Sequence, residues 1–339
     1  MTEPIRATET VLCRRDGRVG RIGLDRPGAL NALDLPMVRA IRQALAAWRD
    51  DARVHAVVIE GHGGRAFCAG GDVRQVRAQV LAGEWERVHE FFASEYAMNR
   101  EIAGYPKPVV ALVDGICMGG GIGVSVHGEA RVASERAVFA MPETAIALFP
   151  DIGATFLLPR LPGALGTWLA LTGARLAGAD AVHAGLATHF VPSAGFPALA
   201  AALARDGLAA LGPAAEPLPP AGFAADRAAI DRCFGRASVA DILAALAAEG
   251  TAWAEETLAT LRRMSPASVL WSFAMVRRGA ERSLGQCLDA ELELVMKVTR
   301  HPDFAEGVRA MVVDKDRTPR WRDAAIEAVD PAEIAAMVG

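Results

Sequence analysis

The 339-residue sequence is poor in the features that mark several large classes of protein. It has no long basic block and a net charge of −4, which argues against nucleic acid as the main partner. Its five cysteines, Cys13, Cys68, Cys117, Cys233 and Cys287, are scattered, with no CxxC pair and no His-rich spacing. A disulfide framework and a bound metal are therefore not expected, and thiols in the core of a cytoplasmic protein are. The first twenty residues carry acidic side chains and lack an apolar centre, so no secretory signal is expected. No uninterrupted run of 18 apolar residues exists, and a soluble protein without a membrane partner is expected. There is no internal repeat.

Hydrophobic residues make up 52% of the chain, enough for a large core. In the first half, strand and helix signals alternate. Arg18 to Leu24 reads as a strand closed by Asp25-Arg26-Pro27-Gly28. Asn31 or Asp34 caps a helix with Leu33, Met37, Ile41, Leu45 and Trp48 on one face. Val54 to Glu60 is a buried-type strand, Gly61 to Asp72 a glycine-rich loop, Trp85 to Ile102 a helix and Val109 to Val113 another strand. Alternation of this kind implies parallel pairing and an α/β core over residues 1–195. Residues 196–224, rich in Ala, Gly and Pro, read as a connector, and 225–339 as a mainly helical region with stripes such as Val239-Ile242-Leu243-Leu246.

Chemistry concentrates between residues 106 and 153. A β-branched run leads to Gly119-Gly120-Gly121, which opens a helix. An earlier loop, Phe67 to Asp72, offers further main-chain N–H groups close to glycine. Two backbone donors from separate loops suit the oxyanion of a reacting carbonyl, although three glycines can also serve close helix packing alone. Glu143 follows Pro142 in the first turn of a short helix, where an acid is common for capping alone, but it is the sole charge from Ala137 to Pro150, an isolation more typical of active sites. Asp151, taken by itself, is a natural helix N-cap. Glu95 falls inside the apolar stripe Val88, Phe91, Phe92, Met98 and Ile102, so it has either a buried Arg partner or a function. His127 reads as a satisfied core histidine, Cys68 and Cys117 as small core residues, and Asp314-Lys315-Asp316 as a solvated turn.

In order along the chain, LDRPGALNAL, AFCAGGD, DGICMGGGIG and PET resemble the crotonase (enoyl-CoA hydratase/isomerase) superfamily. The segments FAMPETAIALFPDIGATFLLPRLPG, MSPAS and EGVRAMVVDKDRTPRW resemble its subgroup of short β-hydroxyacyl-CoA thioester hydrolases. The likeness implies a spiral of ββα units with a helical C-terminal region, and trimers or pairs of trimers. It implies 3-hydroxyisobutyryl-CoA as substrate, with coenzyme A as part of that substrate and no further cofactor. It places oxyanion donors at Ala69 and Gly120, catalytic carboxylates at Glu143 and Asp151, and substrate contacts at Glu95, Gly120, Glu143 and Asp151. Coenzyme A contacts fall at Arg26, Ala29, Leu30, Ala69, Gly71 and Asp72. Hydratases of the superfamily carry a second glutamate where this chain has Gly123, and a glycine where it has Asp151. Hydrolysis is therefore favoured over an enoyl-CoA hydratase or isomerase, and both over a non-catalytic CoA-ester-binding subunit.

Overall fold

The computed structural model describes residues 5–339. The chain divides into two compact units. The first comprises residues up to 71, 94–139 and 176–221, and the second 72–93, 140–175 and 222–339.

The first unit is built on two sheets. Strands β1 (Ile5–Thr8), β2 (Val11–Asp16) and β3 (Val19–Leu24) run antiparallel. Strands parallel to β3 continue the sheet: β4 (Ala56–Gly61), β6 (Val109–Val113), β8 (Ala130–Ala133) and β11 (His189–Phe190). The strands that alternate with them in sequence, β5 (Ala66–Cys68), β7 (Ile116–Met118), β9 (Val138–Ala140) and β10 (Leu176–Ala177), form a second sheet in the order β10-β9-β7-β5. Each turn of chain thus places one strand in the large sheet and the next in the small one. This is the expected ββα spiral.

The stripe read from sequence forms helix α1 (Leu35–Arg49), capped by Asp34, which accepts the Met37 N–H at 2.9 Å. Its Met37, Ile41, Leu45 and Trp48 are all buried. The Trp48 ring lies against Gly20 of β3, where any β-carbon would strike it.

On the large sheet, alternate residues Ala56 and Val58, Val110 and Leu112, Ala130 and Val132 present one apolar face. The expected connector covers it. Residues Phe196–Asp206 form a helix that buries Leu199, Ala200, Leu203 and Ala204 on that face, and Leu211 follows. Ser193–Ala214 is long and apolar enough to cross a membrane by length and composition. Here it is a succession of short helices interrupted at Gly207, and its leucines belong to the sheet. Irregular backbone, the connector proper, begins only at residue 215 and runs through a turn at 222–226 to the helix Arg227–Phe234.

The second unit is almost entirely helical. It includes α2 (Val73–Leu81) and helices at Leu165–Thr172, Val239–Glu249, Pro266–Gly279, Leu284–Val298 and Pro302–Val308. Val239, Ile242, Leu243 and Leu246 are buried, as their spacing predicts. Helix α3 (Trp85–Ala103) begins in this unit and ends in the first. Asp314 and Asp316 lie in an exposed turn as expected, gathered by Arg309 at 2.7 and 2.6 Å.

Candidate active-site elements

In the first unit, the position of the glycine loops follows from the pairing of β5 with β7. The two strands are parallel neighbours, with Cys68 opposite Cys117, so the chain leaves both at the same end. After β5 comes Ala69-Gly70-Gly71, and after β7 comes Gly119, which caps helix α4 (Gly120–Val126). Gly70 (φ +109°) and Gly119 (φ +48°) both occupy the left-handed half of backbone space, which L side chains rarely enter.

The loop before α1 fixes which N–H groups are spent. Ala69 N–H, expected as one oxyanion donor, is given to Leu30 O at 3.0 Å, and Leu33 N–H goes to Gly70 O at 2.8 Å. Ala69 is therefore corrected as a donor: its hydrogen bond is structural. Gly71 pairs with Leu33 in a parallel bridge. Gly71 N would lie 3.1 Å from a β-carbon on Gly120, and Gly120 N 3.5 Å from one on Gly70. Neither the Gly71 nor the Gly120 N–H donates to another group among the described residues. The two donors thus stand side by side, the second at the positive end of α4.

Glu95 lies beside them. It is 2% exposed, and a β-carbon on Gly120 would fall inside contact distance of its Oε1. The sequence expectation of an acid on the core side of α3 is met, and its place is the edge of the donor pair. Next to it, burial and the Glu95 charge push the Cys68 thiol up to about 12, an inert core cysteine. His127 ends α4, partly buried, one residue past its last turn.

The sequence offers Asn31 only as an alternative cap, and the structure gives it a larger part. Fully buried in a left-handed conformation (φ +57°), it donates from Nδ2 to the carbonyls of His62 (3.0 Å), Ala66 (2.9 Å) and Phe67 (3.2 Å). Its Oδ1 accepts the Arg26 N–H at 2.8 Å. One side chain therefore laces the Arg26–Leu33 loop to β5 and to the loop that precedes it. Arg26 also donates to Ala32 O at 3.1 Å, Ala29 ends a short turn from Pro27, and Leu30 is left-handed (φ +53°). Asp72, the last residue expected to contact coenzyme A, caps α2 by accepting the Gln75 N–H at 3.1 Å.

In the second unit, Glu143 opens a single 3-10 turn (Glu143–Ile146) after Pro142 and is 5% exposed. The turn is held from several sides. Leu148 N–H returns to Glu143 O at 2.9 Å, Ser265 N–H reaches Thr144 O at 3.1 Å, and Thr144 Oγ1 donates to Leu171 O at 3.2 Å. Gly307 closes on Ile146, with space for no β-carbon. Asp151 is 4% exposed, just before left-handed Ile152 (φ +57°) and Gly153 (φ +83°). It does not cap the helix Ala154–Leu157 as its sequence context suggests, because the N-cap residue is Gly153. Each unit therefore has buried carboxylates, Glu95 in the first and Glu143 with Asp151 in the second.

The family model for enoyl-CoA hydratase/isomerase matches residues 19–338. Mitochondrial 3-hydroxyisobutyryl-CoA hydrolase of Xenopus tropicalis is 43% identical over 334 residues, 94% of this chain and 86% of that protein. A solved structure of a protein named an enoyl-CoA hydratase, from Rhodobacter sphaeroides 2.4.1, is 42% identical with a TM-score of 0.92, covering 98% of this chain and 97% of its own. Another, named a carnitinyl-CoA dehydratase, from Mycobacterium thermoresistibile, is 39% identical with a TM-score of 0.94 and the same coverages. The likeness extends over both the spiral and the helical region, and the chain belongs to the enoyl-CoA hydratase/isomerase family.

Proposed function

We propose that this protein hydrolyses 3-hydroxyisobutyryl-CoA to 3-hydroxyisobutyrate and coenzyme A. The observation that carries the reading is the pair of unspent N–H groups on Gly71 and Gly120, with buried Glu95 against them. Such donors stabilise charge that develops on a thioester oxygen in the transition state more than in the ground state. Glu143 is assigned the attack on the acyl carbon, or the activation of water for it. In the first case the C–S bond breaks as the Glu143–acyl bond forms, the thiolate leaves and takes a proton, and water then cleaves the anhydride. Asp151 and Glu95 are assigned the β-hydroxyl and the attacking water. The name of the Xenopus relative supports the same reaction. Coenzyme A enters with the substrate, and no other cofactor is invoked. A cytoplasmic setting and a trimeric or hexameric assembly complete the proposal; the thiols, all free and buried, suit a reducing compartment.

Hydration of an enoyl-CoA is the second reading, prompted by the name of the Rhodobacter protein. Water addition across a double bond uses two carboxylates on one water. In the hydratases that this chain resembles, the second stands at the position of Gly123, which here is a buried glycine inside α4. Thiol release measured with 3-hydroxyisobutyryl-CoA, isobutyryl-CoA and crotonyl-CoA tests both readings. Release from the first at a far higher rate than from the second supports hydrolysis with recognition of the hydroxyl. Loss of crotonyl-CoA absorbance without thiol release would replace it with hydration.

A further inference from the structure

Helix Leu284–Val298 carries three acids at alternate positions, of which Asp289 and Glu293 are exposed and Glu291 is fully buried. Glu291 meets the segment that follows Asp151. Its Oε2 accepts the Gly153 N–H at 2.7 Å, and its Oε1 accepts the Thr155 N–H at 3.1 Å and the Thr155 hydroxyl at 2.5 Å. The N–H between them, that of Ala154, goes to the main-chain oxygen of Asp151 at 2.8 Å. Three successive N–H groups at the start of the helix Ala154–Leu157 are thereby satisfied without drawing on the Asp151 carboxylate.

The backbone here needs such a clamp. Ile152 is β-branched yet left-handed (φ +57°), a conformation that persists only where its surroundings impose it. A carboxyl group reaching Gly153 and Thr155 from 138 and 136 residues away supplies that imposition.

We propose that Glu291 is a positioning residue: it takes over the capping of this turn and so sets the direction of the Asp151 carboxylate toward the substrate's β-hydroxyl. The inference rests on the assignment of Asp151 to that hydroxyl. Burial first, and then the charge of Asp151, raise the Glu291 carboxyl to about 8 against the pull of its three donors. The two acids therefore feel one another. Glutamine at 291 keeps the volume but turns an NH2 toward one of the two backbone N–H groups, and the turn relaxes.

The test compares kcat/KM for 3-hydroxyisobutyryl-CoA with that for isobutyryl-CoA in wild type, Glu291→Gln, Thr155→Val and Asp151→Asn. Glu291→Gln is expected to lower the first by roughly 100-fold and the second far less, so that discrimination collapses. Thr155→Val, which removes one donor to Glu291, should move the same ratio in the same direction and carries the test alone if the first variant does not fold. Adding Asp151→Asn to Glu291→Gln should cost nothing more in the ratio. A ratio lost in Asp151→Asn but intact in both Glu291→Gln and Thr155→Val would overturn the positioning role and leave Asp151 standing. A ratio unchanged in Asp151→Asn would overturn the assignment of Asp151, and the role of Glu291 with it.

Discussion

The Glu95 carboxylate occupies the space into which a side chain on residue 120 would grow. A β-carbon at Gly120 would contact Glu95 Oε1 and approach Gly71 N to 3.1 Å, so the glycine keeps both the donor pair and the buried acid in place. This is a constraint of packing, distinct from the backbone freedom that Gly70 and Gly119 supply through positive φ.

Gly120→Ala should therefore damage the chemistry more than the fold. The methyl group would force Glu95 aside and intrude on the Gly71 N–H, and losing one such donor costs on the order of 10²- to 10³-fold in kcat. Thiol release and a thermal melt on the same preparation separate the two effects. An alanine variant with wild-type kcat would remove the donor pair from the mechanism.

Glu143→Gln keeps the side-chain volume, and the turn it opens is tied down through main-chain atoms of Glu143 and Thr144. Folding should survive while turnover falls by about 10²- to 10⁴-fold, the usual worth of a positioned acid or base, with CoA-ester affinity nearly unchanged. After a single turnover of wild type in ¹⁸O-water, label in Glu143 shows that an anhydride formed and that water opened it at the enzyme carbonyl, because a carboxylate that only activates water keeps its own oxygens. Hydroxylamine trapping of the acyl group on Glu143 covers opening at the substrate carbonyl.

The features legible in the sequence are those fixed by local periodicity. Helix α1, strand β6 and the buried position of Glu95 all follow from spacing, since each asks only which face of one element is apolar. The features that escape it depend on partners remote in the chain. Nothing in Ala69-Gly70-Gly71 says which N–H is spent, because the pairing with Leu30 and Leu33 decides it. Asn31 shows its worth only once three carbonyls, of His62 and of Ala66 and Phe67 in β5, converge on it. Glu291 looks the same in sequence as exposed Asp289 and Glu293. The segment after Phe196 misleads for another reason: alanine dominates its composition and prolines punctuate it, yet Leu199 and Leu203, four residues apart, make a stripe that the sheet buries.

The buried state of Glu291 also sets a pH dependence of stability. Its carboxyl titrates near 8 in the folded protein, against an ordinary value of 4.5, so between those values the folded chain holds a proton that the unfolded chain has released. The stability this contributes is complete below about 4.5, shrinks through the neutral range and is gone above about 8. Wild type should therefore lose on the order of a few kcal/mol between pH 5 and pH 9 through this one group, the size set by a shift of several units. Glu291→Gln has no proton to release there, and its Tm should fall less steeply over the same range. Melting curves for both proteins across that interval decide the matter, and parallel slopes would mean that Glu291 is ionised in the native fold throughout, with its three donors outweighing burial.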